Sequence, residues 1–519
     1  MARLDVPTRG LVVLLGACTV SSPAAPRPDP LPPLPAPTSV MTDRFRDAEA
    51  CAQCHLVDDS TQVLHDATGA NVSPVLLWRS SLMALAARDP YYLAVFAEEL
   101  AHTTNKQAVN ATCTRCHGPA GTEENSALTF DDMTSGSGAD AILARGGVTC
   151  TLCHQIDPAN LGDDSSFTGK FVVGYGRKLY GRYPDPMTNP MMLIVNYTPT
   201  LGDHIESSAL CATCHTVQIG NILEQATFLE WRSSVYATGS TPQPCQSCHV
   251  PTVDAANHTI SAPIASFPSG LGARSPIGKH VFVGGNSYVL SLIADAIDWS
   301  GASIPAAEVT ASAARDEAHL QTAARVSILD AHREADTLVV TVRVENLTGH
   351  KLPTGYPSRR LWLHVTAGGF ESGGEPVAAG QPHRDVIDSA DQAQVWEAVL
   401  VDAAGQPTHR ALDAVRYSKD DRILPVGFAP SIADTSRTRP IGAETDTSFV
   451  PGRDDVTYRI PAVPAGTTIS VELCYEALRT DIVDAIDVSA TPAGTRFVDL
   501  ARARPVTPVI IATTTMPAP

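Results

Sequence analysis

Ten of the twelve cysteines fall into five copies of one pattern, in which two residues separate a pair of cysteines and a histidine directly follows the second. This spacing is the attachment signal for c-type haem. The two thiols can form thioethers with the two haem vinyl groups, and the adjacent imidazole can then reach the iron. The five copies are Cys51, Cys54 and His55; Cys113, Cys116 and His117; Cys150, Cys153 and His154; Cys211, Cys214 and His215; and Cys245, Cys248 and His249.

Zinc sites and disulfides are the other common uses of paired cysteines. A zinc ribbon does not require a histidine after every cysteine pair, and disulfides in an exported protein do not require one either. We therefore predict five covalently attached c-type haems, with the ten motif cysteines as attachment points and the five motif histidines as iron ligands.

The motifs lie close together in the sequence, from position 51 to position 249. So short a segment predicts that the haems are packed side by side and supply much of the apolar core. The spacing between motifs alternates between long and short, which suggests an internal duplication. Two similar segments support this interpretation: Trp-Arg-Ser-Ser begins at Trp78 and again at Trp231.

Several segments around the motifs carry a family resemblance. The most specific is the loop at 346–357, Asn-Leu-Thr-Gly-His-Lys-Leu-Pro-Thr-Gly-Tyr-Pro; the others precede the third, fourth and fifth motifs, at 147–149, 208–210 and 231–236. Over roughly residues 48 to 500, the chain resembles the multihaem cytochromes related to the tetrahaem electron-transfer partner of hydroxylamine oxidoreductase. The resemblance implies an electron-carrying cytochrome with several covalent haems.

The resemblance also implies where second axial ligands come from. In that family the histidine of the Gly-His-Lys-x-Pro-Thr-Gly loop reaches back to a haem, and here that residue is His350. His204, shortly before the fourth motif, and His280 match family positions that carry ligands. A second protein ligand makes a low-spin electron carrier, whereas a vacant iron position makes a possible catalytic centre.

A methionine occupies a further ligand position of the family. Related sequences place a ligand two residues after the serine of Trp-x-x-Ser, and here Met83 follows Trp78 and Ser81 at that spacing. The alternative is that Met83 packs in an apolar helix. Since a thioether stabilises ferrous iron, ligation by Met83 would raise the potential of one haem above its bis-histidine neighbours. The fifth second ligand is unassigned: His102 and His258 are candidates, and a vacant iron is the alternative.

The elements that must position these residues change character along the chain. Up to about residue 320 the sequence is loop-rich, with helices predicted at 78–100, interrupted near Asp89 and Pro90, and at 288–299. Beyond that point apolar and polar residues alternate, which predicts short antiparallel strands in a sandwich, at 338–345, 360–365, 395–401, 456–460 and 468–475. Cys474 is expected to be buried in the last of them. The predicted fold class is α+β multidomain: a mainly helical multihaem domain followed by an all-β sandwich domain.

The N-terminus has the layout of an export signal. Arg3 and Arg9 precede a short apolar run at 11–17, which is followed by Cys18. The ending Leu-Gly-Ala-Cys resembles the lipobox of bacterial lipoproteins, in which the cysteine becomes the lipidated N-terminus. An ordinary signal peptide is the alternative. The proline-rich tract that follows predicts a semi-rigid spacer.

Four segments therefore make up the expected organisation. They are a signal peptide at 1–17, a lipidated cysteine and linker at 18–42, a pentahaem domain at 43–315 and a β-sandwich domain at 316–519. We expect an exported protein of a bacterial envelope, periplasmic or at the cell surface, that contacts the membrane by its lipid anchor only.

The net charge and the amino-acid composition limit the kinds of molecule that the protein is expected to bind. The formal net charge of −18 gives the chain no electrostatic reason to bind nucleic acid. Hydrophobic residues at 44% exclude a wholly disordered chain, whereas charged residues, at 18%, fall below the roughly 25% of ordinary domains. Redox proteins, or donors and acceptors linked to the quinone pool, are the expected partners.

Three functions fit these observations. The favoured one is an exported electron carrier rather than an enzyme, with no catalytic residues assigned. The second is a multihaem oxidoreductase of small nitrogen or sulfur compounds with one open haem. The third is a subunit of an extracellular cytochrome filament, which a lipid anchor disfavours.

Overall fold

A computed structural model of the chain describes residues 27–58, 60–374, 377 and 380–519. The predicted signal peptide and Cys18 lie outside the described residues. The fold is α+β, with a mainly helical first half and a sheet-rich second half, as the sequence predicts. Among the described residues, no helix has both the length and the apolar character needed to cross a bilayer.

Short helices joined by loops make up the first half. They are α1 Glu49–Ala52, α2 Pro74–Trp78, α3 Leu82–Leu85, α4 Pro90–His102, α5 Lys106–His117, α6 Pro119–Glu124, α7 Phe130–Ser135, α8 Ala139–Arg145, α9 Cys150–Cys153, α10 Thr188–Val195, α11 Ser208–His215, α12 Thr227–Arg232, α13 Val235–Thr238, α14 Cys245–His249, α15 Ser287–Asp295, α16 Ile297–Ser300 and α17 Ala306–Leu320. Two small ribbons accompany them: β1 Lys178–Gly181 pairs with β2 Thr198–Leu201, and β3 Val217–Ile219 with β4 Ile222–Gln225.

The helix predicted at 78–100 is two helices, α3 and α4, which follow the last residue of α2, because the sequence contains two internal start signals. Ser81 accepts a hydrogen bond from the Ala84 N–H and caps α3. Asp89 accepts hydrogen bonds from two N–H groups at the start of α4, and Pro90 fits the first helical position, where no N–H is needed. The Asp-Pro pair therefore begins α4 instead of merely interrupting a longer helix.

Two sheets dominate the second half. Its strands are β5 Ala324–Glu334, β6 Thr337–Asn346, β7 Arg360–Ala367, β8 Phe370–Ser372, β9 Val386–Ile387, β10 Val395–Val401, β11 Arg416–Asp420, β12 Arg453–Pro461, β13 Thr468–Glu476 and β14 Val509–Pro517. One sheet has the order β11-β10-β7-β13-β14, with β8 beside β7, and the other has the order β5-β6-β12-β9. The pairings are antiparallel except that of β12 with β9, which is parallel.

Alternating side chains of both sheets form one shared apolar core. Val340, Val342 and Val344 of β6 are fully buried, as are Leu363 of β7 and Val471 of β13. Cys474 is buried in β13, as expected. Three helices, which strand alternation did not predict, also lie in this half: α18 Ile432–Thr438, α19 Thr480–Ala485 and α20 Pro492–Ala503.

Buried residues of α15 and α17, among others, join the core shared by the two sheets. The other buried apolar residues in the described part of the first half form only small clusters, such as the one that contains Val40, Phe45, Leu152 and Leu210. Because a folded domain needs a substantial apolar interior, this fragmentation indicates that something other than side chains completes it.

The described part of the proline-rich tract, predicted as a semi-rigid spacer, contacts the body of the protein. The Leu31 and Leu34 N–H groups donate to the carbonyls of Pro492 and Trp299, at 2.9 and 2.8 Å. Leu34 is only 4% exposed. Residues 31–35 therefore lie against the body, where these backbone hydrogen bonds and the apolar contact of Leu34 outweigh the preference of proline for a solvated, extended chain.

Candidate haem-binding site

One continuous cavity of about 1540 Å³ runs through the first half of the molecule and reaches the second. All ten motif cysteines and all five motif histidines line it. Pockets for a single small ligand are about 300–1,000 Å³. The cavity is larger, and its size and lining fit several macrocycles close together.

Helical turns present the motif residues to the cavity. Helix α9 consists of the third motif from Cys150 to Cys153, while α5, α11 and α14 end at the histidines of their motifs. Positions three apart in a helix lie on the same face, so the two thiols of these four motifs point the same way. A macrocycle needs this arrangement to bond to both.

The motif imidazoles are oriented by backbone carbonyls. Four of them bring Nδ1 to a carbonyl oxygen: His55 to Ile264 at 2.8 Å, His117 to Ala86 at 2.9 Å, His154 to Tyr180 at 2.6 Å and His249 to Val283 at 2.6 Å. Since a carbonyl only accepts, Nδ1 must carry the proton, which leaves the lone pair on Nε2. Metal-bound histidines are fixed in this way in known sites, so the motif histidines fit an iron ligand.

Burial keeps these imidazoles neutral. It lowers the pKa of His117 to about 4 despite the opposing hydrogen bond to Ala86. Burial also lowers the pKa of His215 to about 4, with His249 and Arg359 acting in the same direction. A neutral imidazole is the form that binds iron.

The five motifs do not follow one another in space as they do in sequence. The first and third are adjacent, because Thr151 donates to the Arg46 carbonyl at 2.8 Å. A hydrogen bond between the thiols of Cys51 and Cys150 also lowers the pKa of Cys51 and raises the pKa of Cys150. The second and fourth meet at Gly169, whose N–H donates to the Thr213 carbonyl at 2.7 Å and where a Cβ would come within 2.7 Å of the Arg115 side chain and 3.2 Å of the Cys116 sulfur.

The fourth motif has two more neighbours. The Cys245 N–H of the fifth motif donates to the Ser208 hydroxyl of α11 at 3.0 Å. Cys153 of the third motif and Cys214 of the fourth pack against the same apolar cluster. The fourth motif is thus in contact with the second, the third and the fifth.

The repeated Trp-Arg-Ser-Ser segments have equivalent contacts. The Trp78 indole donates to Val148, two residues before the third motif, and the Trp231 indole donates to Gln243, two residues before the fifth. Both bonds are close to 3 Å, at 3.0 and 2.9 Å. This equivalence supports the internal duplication suggested by the sequence.

Two predicted second ligands lie opposite motif histidines. The ring centroids of His154 and His280 are 6.3 Å apart with an interplanar angle of 27°, and those of His249 and His350 are 6.5 Å apart at 19°. A metal bonded at about 2 Å to the Nε2 atoms of two facing imidazoles would set a centroid separation of about 6 Å. His280 and His350 also have Nδ1 next to the carbonyls of Gly278 and Lys351, at 3.0 and 2.9 Å.

The other predicted ligands are placed differently. Met83 lines the cavity, and its backbone carbonyl accepts from Val148 beside the third motif. Gly147 makes this approach possible, since its φ is +63° and a Cβ would come within 2.6 Å of the Met83 carbonyl oxygen. The structure does not bring His204 into the cavity lining; its Nε2 lies 2.9 Å from the Ile156 carbonyl oxygen.

Neither candidate for the fifth ligand lines the cavity. His102 is exposed, and the side chain of His258 is 69% exposed. His319, which the sequence analysis missed, does line it, at the C-terminal end of α17 with its ring centroid 5.3 Å from that of His249. Burial lowers the pKa of His319 to about 4. No motif surrounds His319; the only available signal was its place next to the buried face of an amphipathic helix.

Buried charges hold the loop that carries His350. The Lys351 ammonium, fully buried, lies 2.7 Å from Asp420, and Arg422 bridges Asp420 and Glu230 of α12 at 2.7 and 3.2 Å. Although burial alone would raise it, Arg422 and Lys351 hold the pKa of Asp420 at about 2. The network ties the sheet-rich half to the helical half beside the cavity.

Comparisons with known proteins address the fold. No family model and no curated protein matches the chain. Among solved structures, the chain is similar to a penta-haem cytochrome c552 from Thermochromatium tepidum, with 16% identity and a TM-score of 0.54 over 92% of this chain and 99% of that one. At this identity the similarity shows a shared fold.

Proposed function

We propose that the protein is an exported pentahaem c-type cytochrome that carries electrons across its own length between redox partners. The observation that carries the proposal is the single cavity lined by all five motifs, with four motif imidazoles oriented by backbone carbonyls. The fold shared with a penta-haem cytochrome supports it. When bound, c-type haem supplies one-electron redox chemistry; the chain holds, orients and insulates it.

The contacts between motifs favour a branched route. The first motif leads to the third and then to the fourth, and the second and fifth both adjoin the fourth. The fourth motif would then be the junction through which electrons pass among three ends, near motifs one, two and five.

The proposed second ligands follow from the geometry. His280 serves the haem of the third motif and His350 that of the fifth, on the centroid distances given above. Met83, which lies in the cavity wall near the third motif, is a further iron ligand. His204 can serve only if its Nε2 leaves the Ile156 carbonyl, and His319 is the alternative that already lines the cavity.

A lipid anchor at Cys18 would keep this carrier at the cell envelope. The leader-like run at 11–17 and the cysteine after it support the proposal. Redox proteins or quinone-linked donors and acceptors would then reach the carrier at the membrane surface.

A second candidate function, an oxidoreductase, is favoured by one group of side chains. Asp316, His319 and Arg359 are polar residues in the cavity wall, and Arg359 is close enough to His215 to lower its pKa. Such a group could bind a small anion beside an open iron position.

Electron paramagnetic resonance of the oxidised protein separates the two functions. The carrier predicts five low-spin ferric haems, which requires a second protein ligand for every iron, including the one to which no residue is assigned above. A high-spin signal equivalent to one haem, altered by added nitrite or sulfite, would favour the oxidoreductase and contradict the carrier.

A further inference from the structure

A second cluster of metal-ligand side chains lies in the sheet-rich half and does not line the haem cavity. His383 Nε2 is 3.0 Å from Asp446 Oδ2 and 3.8 Å from Asp454 Oδ2, and one ligand atom from each residue lies within 4.8 Å of the others. Their side chains are buried, at 4%, 6% and 0% exposure. An imidazole and two carboxylates at this spacing can share one metal ion.

These residues come from both sheets. Asp454 lies in β12 of one sheet, and its carboxylate accepts from the indole of Trp396, in β10 of the other, at 2.8 Å. His383 precedes β9, and Asp446 lies between α18 and β12. An ion bound here would therefore link the two sheets.

The far side of the imidazole is also arranged as in a metal site. His383 Nδ1 is 3.0 Å from Asp421 Oδ2, whose side chain is fully buried. Asp421 is itself held by the Glu397 N–H at 2.9 Å and by Lys419 at 3.3 Å. A carboxylate that accepts a hydrogen bond from Nδ1–H keeps the proton on Nδ1 and leaves the Nε2 lone pair free to bind a metal ion, which is the usual orientation in such sites.

With all three carboxylates ionised, the buried charges are unbalanced without an ion. Three carboxylates, those of Asp421, Asp446 and Asp454, face the imidazole and the ammonium of Lys419. Glu397, the next carboxylate, has Arg479 at 3.6 Å. A divalent ion in place of the Nε2 proton would add one positive charge and neutralise the group, which matters because an uncompensated buried charge is costly.

We propose that His383, Asp446 and Asp454 bind one divalent first-row transition metal ion, which cross-links the two sheets. One nitrogen and two oxygen ligands suit zinc, and manganese is the next fit. Ser448, whose hydroxyl donates to Asp446 Oδ1 at 2.7 Å, orients that carboxylate. The proposal is independent of the electron-carrier function.

The test is metal analysis of the full-length haem-loaded protein. After incubation with zinc and gel filtration, inductively coupled plasma mass spectrometry should find about one zinc per chain in addition to the haem iron. A chelator should remove the zinc and lower Tm, and added zinc should restore both. Zinc retention below about a tenth of an equivalent by the wild type would overturn the proposal, and His383 would then be a charged imidazole between carboxylates.

Variants locate the ion. His383→Asn and Asp446→Asn should each lose the zinc. His364→Asn is the matched control, because His364 also lies between two carboxylates, Glu472 and Glu371, at 3.0 and 3.1 Å, but on the surface. Equal zinc loss in the control would overturn the proposal. If neither site variant folds, competition of wild-type protein with a chromophoric zinc chelator decides, since the proposal requires one site per chain.

Discussion

At the scale of single residues, four motif imidazoles are oriented by backbone carbonyls from other parts of the chain. The spacing of two thiols and an imidazole within one turn of chain predicts five attachment sites from the sequence alone. The carbonyls of Ile264 and Val283, which orient His55 and His249, come from remote segments. Only the tertiary fold brings them there, and the same holds for His319.

Second ligands can be identified one substitution at a time. We expect His280→Ala to convert one low-spin ferric haem into a high-spin one, because the iron loses an axial imidazole. His258→Ala, on a largely exposed side chain, is the control and should leave the low-spin count at its wild-type value. An unchanged spectrum of His280→Ala would show that His280 is not a ligand.

The same experiment distinguishes His350 from His319, which both face the cavity near His249. The centroid separation of 6.5 Å, closer than the 5.3 Å of His319 to what two imidazoles on one iron require, favours His350, so His350→Ala should create a high-spin haem at the fifth motif. If only His319→Ala does so, the ligand of that haem comes from α17 instead of the 346–357 loop.

Ligation by Met83 would widen the range of reduction potentials among the haems. Its thioether would stabilise ferrous iron, so Met83→His should lower the highest potential in a redox titration by on the order of 100 mV, well within the ~0.8 V that axial ligands span. Met133→Leu, in a buried core position, is the control. The near-infrared band of methionine-ligated ferric haem should be present in the wild type; without it, Met83 is a packing residue.

At the scale of secondary structure, prediction succeeded where local pattern and tertiary environment agree. Four of the five alternating segments pack an apolar face on the core, whereas β10 is buried along its whole length. The helices near the cavity were harder to predict, because α1, α3 and α9 have only four residues, and α3 and α9 depend on the side-chain caps Ser81 and Thr149. The contact of Leu34 with the body could not be predicted, because a proline-rich composition does not indicate which surface the segment packs against.

We expect the buried ion pairs of Asp420 with Lys351 and Arg422, beside His350, to stabilise the contact between the helical half and the sheet-rich half. Asp420→Asn removes the carboxylate that Lys351 and Arg422 share, and should lower the free energy of unfolding by about 3–5 kcal/mol. Arg459→Ala, which breaks the exposed pair with Glu334, should cost less than about 1 kcal/mol. Comparable effects of the two in denaturant titrations would contradict this role.

The ionisation of Asp420 also predicts that the free energy of unfolding falls at low pH. Its folded-state pKa of about 2 lies below the ordinary value near 4, so ionisation favours the folded state. This stabilisation is complete above about pH 4 and is lost as the pH falls toward 2. Asp420→Asn should therefore flatten the stability profile in that interval, as measured by unfolding at each pH.

At the scale of the whole molecule, the proposed carrier is held at the cell envelope, with its haems grouped around the fourth motif. Cys18→Ala should release the protein from membranes into the soluble fraction, because a single membrane contact is proposed. Wild type treated in parallel is the control. Membrane retention of the variant equal to that of wild type would show that something else holds the protein there.

Electron counting tests the central claim most directly. Coulometric titration of the purified protein, with haem content fixed by mass and by the pyridine haemochrome spectrum, should give about five electrons and five haems per chain. Removing one motif histidine, as in His215→Ala, should leave the electron count near five but slow transfer between the ends that the fourth motif joins. Four or fewer haems or electrons per wild-type chain would contradict the account.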